Sequence, residues 1–150
     1  MASVFDPQTF LKTEISGANA TTLIPVPKGQ RPGQIIGLNG RQFNDKNGEN
    51  RTVMDVTWHI LDEESARVTG MEKPTVRMGV FLEFTERGAL DMGKGKNVAL
   101  GRLREAVKQN DPKKPWNPEQ LINARATCDI DHKSGDDGND YAIIRKVTTA

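Results

Sequence analysis

The sequence predicts a mainly β domain with a single helix, and three observations lead to that prediction. The 150-residue chain, one domain in size, contains 14 glycines and 8 prolines, which favour turns and long polar connections. Apolar and polar residues alternate along several segments, as they do in strands that bury one face. A helical spacing of apolar residues is convincing in only one place.

Residues 1–30 are predicted to form an extended N-terminal arm ahead of the folded domain. A short amphipathic helix is expected after Asp6-Pro7, with apolar side chains at Phe5, Phe10, Leu11 and Ile15. Prolines later in the arm remove backbone donors and favour extended backbone. Two interpretations of the arm remain open: a lid packed over one end of the domain, or a surface for oligomerisation or for a partner.

The first strand is predicted to be short, at Gln34–Leu38. Asn39-Gly40 follows as a turn signal, and residues 44–50 form a polar loop.

Two longer strands follow, at residues 51–61 and 75–85. The first has one apolar parity, expected in the core, and a second parity expected to face outward: Val53, Asp55, Thr57 and His59. In the second strand Phe81 is the apolar exception on the outward parity, which it shares with Arg77.

A helix is predicted at residues 96–109, where apolar residues recur at i, i+3 and i+7: Leu100, Leu103 and Val107. Strands at 124–131 and 141–147 close the chain. Three strands, one helix and two strands is the chain order of the OB-fold, a five-stranded Greek-key barrel with its helix between strands 3 and 4. We therefore predict an OB-fold-like domain at residues 31–150, with a split α+β sheet as the alternative.

Several classes of protein are excluded by composition. No apolar run is long enough to span a membrane, and MASVFDPQTF lacks the features of a secretory signal. A single cysteine, Cys128, rules out an intrachain disulfide framework and favours the cytosol. Two histidines and one cysteine cannot make a cysteine-rich zinc site, and we expect neither a metal nor a cofactor.

Charge is concentrated locally although the net charge is only +1. Between Arg87 and Lys114 eight bases face three acids, which leaves +5 on 28 residues. Within this stretch GALDMGKG nearly matches the phosphate-binding G-x-x-x-x-G-K-[ST] pattern, but the residue that should carry the hydroxyl is Gly95. The pattern therefore suggests phosphate contact through Lys94 and Lys96 rather than nucleotide hydrolysis.

Nucleophilic catalysis has little support in the sequence. Cys128 lies on the apolar parity of its strand, where a small core residue is expected. His59 and Asp55 share a strand face, but no nucleophile accompanies them.

The aromatic residues that could stack on bases are those with cations nearby. Phe81 shares its strand face with Arg77, and the alternative for its ring is packing under the N-terminal arm. Phe43 follows Arg41 by two residues. Trp116 comes directly after Lys113-Lys114 and Pro115.

Three segments resemble a family of small tailed-bacteriophage proteins: FDPQTFLKTEISGANATTLIPVPKG, DVTWHI, and FTERGALDMGKGKNVALGRLREAV followed by PW. The last is the most specific, and the similarity covers nearly the whole chain. Members are encoded near replication and recombination genes and are thought to be similar to OB-fold single-stranded DNA-binding proteins. The resemblance implies location in the cytoplasm of the infected bacterium, single-stranded DNA as ligand, and replication or recombination proteins as partners.

The leading functional prediction is a non-catalytic phage single-stranded DNA-binding protein, which could form homo-oligomers. Its cationic groove and aromatic stacks would use Arg41, Phe43, Arg77, Phe81, Lys94, Lys96, Arg102, Arg104, Lys113, Lys114 and Trp116. The alternative is a phage accessory or structural module, or an inhibitor of a host defence, that binds proteins and ignores nucleic acid. An enzyme is the third possibility, because OB barrels host many functions.

Overall fold

The computed structural model describes residues 5–150 and shows one five-stranded antiparallel sheet with three short helices. The strands lie in the order β3-β2-β1-β4-β5. Their bounds are β1 Gly29–Asn44, β2 Asn50–Ile60, β3 Thr75–Leu82, β4 Arg125–Ser134 and β5 Asp140–Thr148. The prediction of a mainly β fold is confirmed.

The helices are α1 (Pro7–Leu11), α2 (Glu63–Thr69) and α3 (Val98–Ala106), and a 3-10 turn spans Pro118–Leu121. None of the helices among residues 5–150 is both long and apolar enough to cross a membrane. The prediction of a single convincing helix is wrong because of α2. Its seven residues are too few to show a helical period, and caps define it instead.

Both ends of α2 are capped. The Asp62 carboxylate accepts hydrogen bonds from the Ser65 amide at 3.1 Å and from the Ser65 hydroxyl at 2.7 Å. Gly70 ends the helix in the left-handed conformation, with φ of 71°.

Strand β1 is hydrogen-bonded on both sides, to β2 and to β4. It is far longer than the predicted 34–38 segment, and it begins two residues before the predicted boundary at residue 31. A β-bulge at Ile36 interrupts its register with β2, between Ile35 and Gly37. Asn39-Gly40 therefore lies inside the strand and is not a turn.

The core lies on the concave side of the sheet and is closed by α3. Trp58, Ile35 and Val56 are fully buried, and Leu100 and Leu103 of α3 pack against the same cluster. The edge strands β3 and β5 approach each other, and α3 contacts both. The sheet nevertheless stays open there, because no ladder of backbone hydrogen bonds joins β3 to β5 in the described chain.

Two residues on the outward parity of β2 are buried, contrary to prediction. Val53 is 1% exposed and Asp55 is 7% exposed. Val53 lies between Arg41 of β1 and Phe81 of β3 in the strand register. Long neighbouring side chains thus cover this face, so polar and apolar alternation did not predict exposure.

Burial of Cys128 predicts an inert thiol. The side chain is fully enclosed, and this desolvation raises the pKa of Cys128 to about 12, because burial disfavours the thiolate. We expect no reaction with a thiol reagent at pH 8 in the native protein and complete reaction after unfolding in urea. Absorbance measures the extent of the reaction with time. Rapid labelling of the native protein would contradict the described packing.

Gly33 and Gly40 of β1 provide a matched test of core packing. A Cβ at Gly33 would come within 2.7 Å of Cys128 Sγ and 2.9 Å of Trp58 Cε3, whereas one at Gly40 meets nothing within 4 Å. We expect Gly33→Ala to lower the free energy of unfolding by about 1–3 kcal/mol. Gly40→Ala should change it by no more than about 0.5 kcal/mol. Urea titrations measure both, and equal stabilities would contradict this packing.

Candidate nucleic-acid interface

The outward face of β1, β2 and β3 collects four of the predicted site residues. Arg41, Val53 and Phe81 lie in one cross-strand row, because Arg41 pairs with Val53 and Val53 with Phe81. Phe43 lies two residues further along β1, and Arg77 two rows away on β3, opposite Thr57. The bulge in β1 turns Arg41 and Phe43 to this side.

Phe43 and Phe81 form an aromatic pair on this face. Their ring centroids are 6.2 Å apart in an edge-to-face arrangement. Phe81 is a large apolar residue near the end of the edge strand β3, and its side chain is 54% exposed. An exposed ring held by a second ring is a suitable surface for a flat ligand group.

Arg41 is fixed between a carboxylate and a ring. Its Nε donates to Asp55 Oδ2 at 2.6 Å, and its guanidinium carbon lies 5.3 Å from the Phe43 ring centroid. The Asp55 carboxylate is buried by this arrangement, while the Arg41 side chain stays half exposed. Arg41 thus presents its remaining donors from a defined position.

Small residues separate the aromatic pair from Arg77. Gly79 occupies the row between Phe81 and Arg77 on β3, and Gly37 lies opposite Thr57 at the far side of the same face. A Cβ at Gly79 would lie 3.3 Å from Val53 Cγ2. No bulky side chain of β3 therefore stands between Phe81 and the exposed Arg77.

A groove of about 570 Å³ continues past Phe81 toward the start of α3. Arg51, Glu83 and Asn97 line it, and Lys96 Nζ lies 3.6 Å from Glu83 Oε1. Arg51 Nε donates to Asp45 at 2.9 Å, and this hydrogen bond holds the pKa of Asp45 below its usual value. Lys94 is exposed two residues before Lys96, so the predicted phosphate-contacting lysines lie beside this groove.

Asn97 holds the Lys94–Lys96 loop against the end of β3. Its side-chain oxygen accepts from the Glu83 amide at 2.8 Å, and its side-chain nitrogen donates to the carbonyls of Glu83 and Asp91, each at 2.9 Å. Its φ is 53°, in the left-handed region that asparagine tolerates better than most residues. Sequence reasoning missed Asn97, because its hydrogen bonds join segments fourteen residues apart.

A second cleft, of about 230 Å³, lies between β3 and β5. Gly79 of β3 and Arg102 of α3 line one side, and Arg145 and Lys146 of β5 line the other. Ala99 lines both this cleft and the groove beside Phe81, so the two are neighbours along α3. Arg145 and Lys146 were missed because only the approach of β5 to α3 brings them beside Arg102.

The structure places Trp116 apart from the outward face of β1, β2 and β3, here called the Phe81 face. Trp116 packs against the core, where it shares a cavity with Met54 and Leu82 of the concave side. Arg104 lies over its ring at 4.1 Å, and its indole N–H donates to Gln109 Oε1 at 2.8 Å. Arg104 thus covers one face of the Trp116 ring, and its Nε donates to the Gln109 carbonyl at 3.0 Å.

Lys113 and Lys114 are exposed in the loop before Trp116. They line neither the groove beside Phe81 nor the cleft between β3 and β5.

Neither a family model nor a curated protein matches the sequence. Across residues 5–150 no three metal-ligating side chains are grouped as a metal site.

Asn97 gives a test of how the loop is held. We expect Asn97→Ala to lower the free energy of unfolding by about 1–3 kcal/mol. The substitution removes three side-chain hydrogen bonds and places an alanine in the left-handed backbone conformation, which alanine adopts at a cost. Hydrogen exchange at residues 91–97 should accelerate. Asn110→Ala is the control, since the exposed Asn110 side chain makes no hydrogen bond to any described residue. If both variants behave alike, Asn97 does not hold the loop.

Proposed function

We propose that this protein is a non-catalytic, OB-fold single-stranded DNA-binding protein of a tailed bacteriophage. It would act in replication or recombination in the cytoplasm of the infected bacterium. The observation that carries the proposal is the outward face of β1–β3, where Phe43, Phe81, Arg41 and Arg77 lie together. In OB-folds this part of the sheet is the one that binds oligonucleotides.

The OB-fold assignment is supported by the order of elements. β1 lies between β2 and β4, the edge strands β3 and β5 approach each other, and α3 covers the gap between them. Along the chain α3 lies between β3 and β4. A strongly curved sheet of this order is what a five-stranded Greek-key barrel requires.

A path for a single strand follows from the positions of the cations. Bases would stack on Phe81 and Phe43, and phosphates would contact Arg77 and Arg41. The strand would continue past Lys94 along α3 to the cleft that holds Arg102, Arg145 and Lys146. Single strands are preferred because a paired base cannot present its face to an aromatic ring.

A protein-binding module without a nucleic-acid role is the second candidate. Cations near the Phe81 face are paired with carboxylates: Arg41 with Asp55, Arg51 with Asp45, and Lys96 with Glu83. Such pairing lowers the local positive potential that nucleic-acid binding uses.

Fluorescence anisotropy with labelled oligo-dT of about 30 nucleotides distinguishes the two candidates. We expect tight binding that weakens steeply between about 50 and 200 mM salt, and weak competition by duplex of equal length. Absence of binding at low salt would reject the DNA-binding proposal. Equal competition by duplex would reject the stacking mechanism.

Substitutions at the face test which side chains bind. We expect Phe81→Ala to weaken oligo-dT binding by about 5- to 150-fold, because it removes a stacking surface. Phe81→Leu should bind oligo-dT nearly as weakly as Phe81→Ala, because leucine keeps the apolar volume but has no flat face. Arg77→Ala should reduce the slope of log K against log salt by about 0.7, which is one phosphate contact to a single strand.

Lys133→Ala is the matched control for Arg77→Ala, because Lys133 is an exposed cation on β4, away from the Phe81 face. It should leave affinity and salt slope unchanged. Thermal unfolding of each variant separates loss of binding from loss of fold. Wild-type affinity in folded Phe81→Ala would place the DNA-binding site elsewhere.

A further inference from the structure

Residues 5–24, here called the N-terminal segment, expose most of their large apolar side chains, and those before Ser16 have no covering surface within the described chain. Phe10 is 51% exposed, Leu11 75% and Ile15 63%. Phe5 and Phe10 contact each other at 5.6 Å between ring centroids but remain exposed. Such a concentration of exposed apolar residues on a short segment indicates a binding partner.

Helix α1 of this segment is formed although it packs on nothing described. The Asp6 carboxylate accepts hydrogen bonds from the Gln8 amide at 3.1 Å and the Thr9 hydroxyl at 2.9 Å, so the helix has a complete N-cap. A five-residue helix is unstable alone in water, because nucleation outweighs the few hydrogen bonds gained. A surface that receives Phe10 and Leu11 would stabilise it.

The body of the protein offers one such surface at the end of β3. A cavity of about 310 Å³ is almost entirely apolar, and Leu82, Phe84, Leu90, Leu100 and Trp116 line it. Phe84 is 46% exposed at its edge. The cavity is open to solvent and is large enough for one or two apolar side chains.

The segment is anchored at the opposite end of β3. Val26 is buried, and its carbonyl accepts from His132 Nε2 at 2.7 Å. Residues 23–26 line one pocket together with Thr75 and Val76, at the start of β3. Seven residue steps along β3, about 23 Å, separate this anchor from the end of the strand near the cavity.

Charge favours contact between the two surfaces. The N-terminal segment contains Asp6, Lys12 and Glu14, a net charge of −1. The loops that carry the cavity residues, 84–90 and 113–119, contain Arg87, Lys113 and Lys114 against Glu86 and Glu119, a net charge of +1. Arg104, which lies over Trp116, adds a further cation.

We propose that the N-terminal segment of one copy of this chain inserts Phe10 and Leu11 into the cavity beside Phe84 and Trp116 of a second copy. The two contacting surfaces are unlike, and the segment leaves the body at the end of β3 opposite the cavity, so the contact can propagate from copy to copy. This self-association does not depend on the proposed DNA binding, and it is measured without DNA.

Two variants, each lacking one of the surfaces, test the proposal by analytical ultracentrifugation. Phe10→Ser with Leu11→Ser removes the inserted side chains, and Phe84→Glu places a negative charge at the cavity edge. We expect concentration-dependent association of the wild type, and at least about tenfold weaker association of each variant. An equimolar mixture of the two should form a dimer and nothing larger, because one intact contact remains.

Ile36→Glu is the matched control, since Ile36 has the same 46% exposure as Phe84 but lies at the bulge of β1. It should associate like the wild type. A monomeric wild type, variants that associate normally, or a mixture that stays monomeric would each overturn the proposal. The last result includes the case in which the segment folds onto its own cavity.

A second measurement uses only an exposed position and keeps the cavity intact. A spin label on Gln8→Cys is selective because Cys128 is buried. When the labelled chain is mixed with isotope-enriched wild type, we expect stronger broadening of the Trp116 indole signal of the wild type than of the signal of the core residue Trp58. Equal broadening of both, or none, would reject insertion beside Trp116.

Discussion

The bulge at Ile36 is the constraint on which the rest of the molecule depends. Side chains alternate along a strand, so one extra residue moves every later side chain to the opposite face. Before the bulge Ile35 packs beside Trp58 in the core, and after it Arg41 and Phe43 face outward. Without it Arg41 and Phe43 would project into the core. The one extra residue therefore sets both the packing of the core and the composition of the candidate interface.

Sequence reasoning succeeded where a single period persisted. The inward parities of β2 and β3 are apolar along most of their length and α3 keeps its apolar stripe, so the positions and inward faces of these elements could be predicted. It failed for β1, because glycines, polar residues and the bulge conceal the alternation. It also failed for α2, whose capping residues carry the signal that its short length cannot.

The candidate site was predicted in part for a similar reason. Phe81 and Arg77 were found because they share a strand parity, and their proximity to Arg41 and Phe43 follows from the register of β1, which the sequence did not reveal. Arg145 and Lys146 become neighbours of Arg102 only through the approach of β5 to α3. Trp116 was predicted to stack on bases because it lies in a Pro-bounded loop beside lysines, but its ring packs against the core.

The bulge also restricts how this sequence can evolve. Deletion or insertion of one residue between Ile35 and Arg41 would exchange the inner and outer faces of half a strand, so descendants should change this stretch by substitution and keep its length. The turn between β1 and β2 carries no such restriction on length, because residues 46–49 are exposed and a longer loop adds little entropic cost. Variation in length among descendants should therefore be confined to loops, while the spacing from the core of β1 to its outward arginine stays fixed.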